Sequence, residues 1–150
     1  MGNICRSPTA EAVFRHHVFA AGLDKVVRVD SAGTSGGHRG DPPDPRAVRA
    51  GARRQYDLTK LRARKVTSED FEAFDLVLAM DRRNLDALQS LRPENHQGHL
   101  GLLLDFAPHQ TIREVPDPYY GGPDGFEHVL DLAESAMSGL LNEVRARLAA

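Results

Sequence analysis

A chain of 150 residues with 41% hydrophobic and 27% charged side chains and a net charge of −2 is sized for one domain with a respectable core, and its charge balance argues against a nucleic-acid partner. The single cysteine, Cys5, excludes an internal disulfide framework. No apolar run reaches membrane-spanning length and no leader pattern is present, so a cytoplasmic chain without a membrane partner is expected.

The first stretch to carry structure is GNICRSPTAE, from Gly2. Ser7 is placed to cap a helix with Pro8 at its first position, where a missing N–H costs nothing, and that helix is predicted to stop near Gly22. KVVRVDSAG, with Val26, Val27 and Val29, reads as a strand ending in a turn. TSGGHRGDPPD is a loop by composition, and Asp44 followed by Pro45 opens a second helix. VTSEDFEAF predicts a short helix, DLVLAM a buried strand, DRRNLDALQSL a helix capped near Asp81, and HLGLLLDF the next strand. REVPDPYYGGPDGF is a long polar loop. Phe126, Val129, Leu130, Ala133, Met137, Leu140, Leu141 and Val144 then recur at helical spacing and predict a last helix from about Gly125 to Leu148. Strands alternating with helices point to a single α/β domain with a parallel sheet, and such sheets bind ligands outside the carboxyl ends of their strands.

The GNICRS stretch has the parts of an anion site. Gly2 and Asn3 tolerate left-handed backbone, which turns successive N–H groups inward, and the following helix adds its positive end. Arg6 offers a fork matching two phosphate oxygens, and Ser7 a further donor. On these residues alone the same stretch is equally a turn and N-cap with a surface arginine. Asp117, in PDPYYGG, reads by itself as a turn residue, and Tyr119 and Tyr120 as loop tyrosines.

GNICRSPTAE resembles the phosphate-binding loop of the low-molecular-weight protein tyrosine phosphatases. DSAGT (Asp30 to Thr34), DPRA (Asp44 to Ala47), the stretch from Glu69 to Asp81, Asn84-Leu85 and DPYYGG (Asp117 to Gly122) follow in that family's order and spacing. The resemblance implies a three-layer α/β fold with a four-stranded parallel sheet between helices. It implies a phosphomonoester hydrolase acting on phosphotyrosine through a phosphocysteine, with no cofactor. Gly2, Asn3, Ile4, Cys5, Arg6 and Ser7 would hold phosphate, Arg6 would stabilise the transition state, and Asp117 would serve as general acid. Tyr119 and Tyr120 would stack on the substrate, a phosphotyrosine protein or a small aryl phosphate; inorganic phosphate or another oxyanion would also bind.

In the family's Cys-x-x-x-x-x-Arg pattern the nucleophile stands just ahead of Met1, and Cys5 matches a second loop cysteine. The expectation is therefore a chain short of about ten residues, one strand plus the nucleophile, and doubtful activity as written. Many members carry Trp where Gly37 stands, which should widen the cleft, and LRARK, Leu61 to Lys65, departs from the usual basic segment with unclear effect. Ile4 favours the tyrosine class over protein-arginine phosphatases, which tend to carry Thr there. A non-catalytic phosphate or phosphoprotein binder is the alternative of a different class. His16 and His17 are adjacent, so they point to different helix sides, and His96 and His99 lack a nearby acidic or thiol partner, so no metal is expected.

Overall fold

Local chemistry sets most element boundaries. The computed structural model describes residues 2–119 and 121–150. The first helix, Arg6–Ala20 (α1), ends in a Schellman turn: Leu23 N–H donates to Val18 C=O and Gly22 N–H to Phe19 C=O, both at 3.0 Å, with Gly22 at φ 73°. Its start departs from expectation. Cys5, not Ser7, is the N-cap, and Pro8 sits two residues into the helix, still within the first turn, where no helical carbonyl needs its N–H. The Ser7 hydroxyl faces Asn3 instead.

Asp44 caps Pro45–Arg53 (α2), its Oδ1 accepting from Arg46 N–H at 2.8 Å. Asp70–Ala73 (α3) precedes the strand Leu76–Ala79 (β1). Asp81 then caps Arg82–Leu91 (α4) by accepting from Asn84 N–H at 2.8 Å. His99–Leu102 (β2) runs straight into a 3-10 turn, Leu103–Phe106, and Pro123–Ala149 (α5) closes the fold. The apolar stripe of α5 is buried as its spacing requires, joined by Leu132 and Ala136, while Leu141 is half-buried.

β1 and β2 pair in parallel, Leu76 opposite His99 and Ala79 opposite Leu102. An isolated parallel bridge joins Gly33 to Lys65. Among the described residues the sheet thus has two strands, not four. KVVRVDSAG forms no ladder: Val26 lies in a turn, and residues 27–32 keep only a strand's period-two burial, with Val27 and Val29 half-buried and Arg28 and Asp30 exposed. A strand needs a hydrogen-bonded neighbour, and a slot of about 400 Å³ lies between this segment and β1.

Two apolar clusters cover the two faces of the sheet. Leu76, Leu78 and Met80 pack with the cluster of α1, α2 and α5, which includes Val13, Ala50, Leu104, Leu130 and Met137. Val77 and Ala79 pack with Phe71, Leu88 and Leu102. This alternation along β1 is what helices on both faces demand. The bend from Ala79 and Met80 into α4 puts the carboxyl end of β1 beside the amino end of α1, where the site forms.

Candidate active site

Asn3 shapes the loop ahead of α1. Its φ is 63°, a left-handed value that asparagine tolerates, and its side chain is 4% exposed. The side-chain amide makes three hydrogen bonds. Nδ2 donates to Ser7 Oγ at 2.8 Å and to Ser31 Oγ at 3.0 Å, and Oδ1 accepts from Arg64 N–H at 3.1 Å. The Ser31 hydroxyl donates a hydrogen bond to Glu11 Oε1, and buried Glu11 accepts in turn from Arg15 Nε at 2.8 Å. Because Ser7 Oγ accepts from Asn3, its hydroxyl hydrogen is left to donate elsewhere. A Cβ at Gly2 would run into the His38 ring, so any larger residue there requires that ring to move.

Arg6 is 5% exposed. Its Nη1 donates to Asp81 Oδ2 and to Val115 C=O, each at 2.7 Å, while among the described residues its Nε and Nη2 hydrogens meet no acceptor. Burial raises the Asp81 carboxyl, but the Asn84 amide and the Arg6 guanidinium outweigh it and hold the group below the ordinary carboxylate range. Cys5 is buried, and burial followed by the fields of Asp44 and Asp117 pushes its thiol up to about 12. Ile4 is fixed through its carbonyl, which accepts from Asp44 N–H at 2.7 Å.

Gly2, Asn3, Ile4, Cys5, Arg6, Ser7, Asp117 and Tyr119 all line one cavity of about 290 Å³. Asp117 is solvent-exposed, and its Oδ1 accepts from Tyr119 N–H at 3.0 Å, an Asx turn that aims the carboxylate. Arg46 lies over the Tyr119 ring at 5.4 Å. Tyr120, expected beside it, lies outside the described residues. Gly37 is not part of the lining. His38 stands there instead, tilted against Tyr119 with ring centroids 6.5 Å apart and Nδ1 3.2 Å from Asp41 Oδ2. His38 and Glu11 carry no role in the sequence reading, and Asp81 and Ser31 enter it as a helix cap and a member of DSAGT, not as site residues. Asp81 and Glu11 had a discoverable signal, a charged side chain beside an apolar stretch; His38 had none in its glycine-rich loop. Among the described residues no group of three or more metal-ligating side chains forms.

The fold and cavity define a parallel α/β domain with an arginine-backed concave loop at the carboxyl edge of its sheet. The family model described as low molecular weight phosphotyrosine protein phosphatase matches residues 1–150, and the chain belongs to that family. It is 46% identical to a low molecular weight protein-tyrosine-phosphatase of Streptomyces coelicolor, the match covering 98% of this chain and 91% of the relative. It is 41% identical to the human low molecular weight phosphotyrosine protein phosphatase, with 86% and 82% covered. The crystal structure of a protein tyrosine phosphatase from Entamoeba histolytica superposes with a TM-score of 0.93 at 38% identity, covering 97% of this chain and 93% of that one.

Proposed function

We propose that this domain is built to hydrolyse phosphotyrosine, on proteins or in small aryl phosphates, in the cytoplasm. Arg6 carries the reading: among the described residues a buried guanidinium keeps Nε and Nη2 donors without an acceptor, in a cavity that Asp117 also lines. The Arg6 fork, the N–H groups of the loop and the start of α1 hold the phosphoryl oxygens and stabilise the charge that develops on them. A thiolate sulfur bonds to phosphorus as the aryl–oxygen bond to phosphorus breaks, and Asp117 gives its proton to the leaving oxygen. Water then attacks the phosphocysteine, Asp117 takes back a proton, and phosphate and thiolate separate. Ser7 has the free hydroxyl hydrogen to donate to that thiolate. Tyr119 flanks the aryl ring.

The finer architecture in this reading is a four-stranded parallel sheet in which an apolar strand lies between residues 27–32 and β1 and brings the nucleophile to the cavity. The slot of about 400 Å³ supports it.

One observation favours a second reading for the polypeptide as it stands, phosphate binding without turnover. Its single thiol is Cys5, which burial pushes up to about 12, away from the thiolate form. Calorimetric titration with inorganic phosphate and turnover of p-nitrophenyl phosphate separate the two. Binding that falls about 10- to 100-fold in Arg6→Ala is expected, from the loss of a charged hydrogen-bonding fork. Equal binding by Arg6→Ala refutes the site. Turnover abolished in Asp117→Ala establishes catalysis by this polypeptide, and binding with no turnover establishes the binder.

A further inference from the structure

We infer that Arg46, which does not line the phosphate cavity, is a positioning residue: it holds the Tyr119 ring in place as the aromatic wall of the site and so sets the preference for aryl over alkyl phosphates. The inference rests on the oxyanion reading of the loop.

The Arg46 guanidinium is fixed in one plane. Asp44, 9% exposed at the N-cap of α2, takes both arms of the fork: Nε donates to Oδ1 at 3.0 Å and Nη2 to Oδ2 at 2.8 Å. A guanidinium bonded twice to one carboxylate cannot turn about its own axis, so its flat faces are what it offers to neighbouring rings. Those neighbours are aromatic. Arg46 Cζ lies 5.4 Å from the Tyr119 ring centroid and 4.8 Å from that of Phe126. Phe126 is 3% exposed in the first turn of α5, so one cation ties Tyr119 to the core.

The same anchor reaches the phosphate loop. Asp44 N–H donates to Ile4 C=O at 2.7 Å, so the residue that orients Arg46 is bonded to the loop that receives the anion. At the other end Tyr119 N–H donates to Asp117 Oδ1 at 3.0 Å, and the ring and the carboxylate therefore share one turn.

The anchoring matters because aromatic surface is scarce in the cavity. Among the described residues Tyr119 and His38 are the rings that line it, and the chain contains no Trp. His38 is turned toward Asp41 through its Nδ1. The aryl group of an entering ester thus has Tyr119 to pack against. Ring pairs gain most in offset or edge geometries with centroids about 4.5–7 Å apart. A wall that must first be ordered loses part of that gain to entropy, and Arg46 removes this loss before the ligand arrives.

The test is calorimetric titration of the 150-residue chain with benzylphosphonate and methylphosphonate, whose P–C bonds do not turn over. The ratio of the two Kd values reads the aryl preference. The parent is expected to bind benzylphosphonate about 10-fold more tightly. Arg46→Met, of similar length but without charge or fork, should cut that preference at least about threefold while methylphosphonate Kd stays within about twofold of the parent. In a Tyr119→Ala background the same substitution should leave the preference unchanged, because its route to the ligand is gone. An unchanged preference in Arg46→Met overturns the inference. So does equal weakening of both ligands, the mark of a residue that only holds the fold together. A further loss on top of Tyr119→Ala overturns the route through the ring. Should Arg46→Met lack a cooperative unfolding transition, Arg46→Lys decides: it keeps a cation without the doubly bonded plane, a partial loss is expected, and full aryl preference overturns the inference. A parent that binds both phosphonates equally overturns it and leaves the oxyanion site standing. A parent that binds neither refutes the oxyanion reading, and the inference falls with it.

Discussion

Asn3 is the residue on which the loop's shape depends. Its left-handed backbone is offset by a fully used side-chain amide, so removing that amide costs twice: strain stays and two hydroxyls and a backbone N–H lose a partner. Asn3→Ala should lower unfolding free energy by about 2 kcal/mol in urea titrations, and weaken phosphate binding as well. Asp81 predicts the acid response. Its carboxyl is held below the ordinary range, so the stability it contributes is present above about pH 4 and fades as pH falls through the depressed value. Unfolding free energy measured from pH 6 down to pH 2 should drop less steeply in Asp81→Asn than in the parent, whose steeper fall is the signature. Of the residue-scale features, the loop's composition was legible in the sequence because Gly2, Asn3, Arg6 and Ser7 are neighbours along the chain. The partners that fix them, Asp81, Val115, Ser31 and Arg64, come from far along it and could not be read locally.

At the scale of elements, what is encoded in a few adjacent residues came through and what needs a partner did not. Asp44-Pro45 and Asp81 announce the starts of α2 and α4 because a cap is a bond between residues two or three apart. The long apolar stripe announces α5 for the same local reason. KVVRVDSAG has strand composition but lacks a ladder, because pairing is a property of two segments. Ser7 failed as a cap because the tertiary network claimed its hydroxyl, and Gly37 was displaced from the cavity wall by His38 through the path of a loop that no pattern fixes. Two glycines test the element contacts. Gly22→Ala forces a side chain into left-handed backbone at the end of α1 and should cost about 1 kcal/mol. Gly139→Ala is more severe: its Cβ would lie 2.3 Å from the Phe106 carbonyl oxygen, so α5 must lift off the 3-10 turn, with an expected loss of about 2–3 kcal/mol by chemical denaturation.

For the molecule as a whole, the layered α/β plan followed from alternation of elements, and β1 confirms it by sending successive side chains into opposite cores. The slot between residues 27–32 and β1 is lined from both cores, by Met137 and Leu140 on one side and Leu88 on the other. Fusing an apolar strand ahead of Gly2, so that it can reach the slot within one molecule, should raise the thermal midpoint by roughly 5–15 °C over the 150-residue chain. Scanning calorimetry of the two would show it, and matched midpoints would mean the slot carries no energetic penalty. The same borders bear on how the 150-residue chain, taken by itself, behaves in company. In concentrated stocks of that 150-residue chain the nearest available β-partner is another molecule's border, so scattered light should climb faster than its concentration and clear on dilution. Crowding, before heat or acid, would then decide how long a purified sample stays monodisperse.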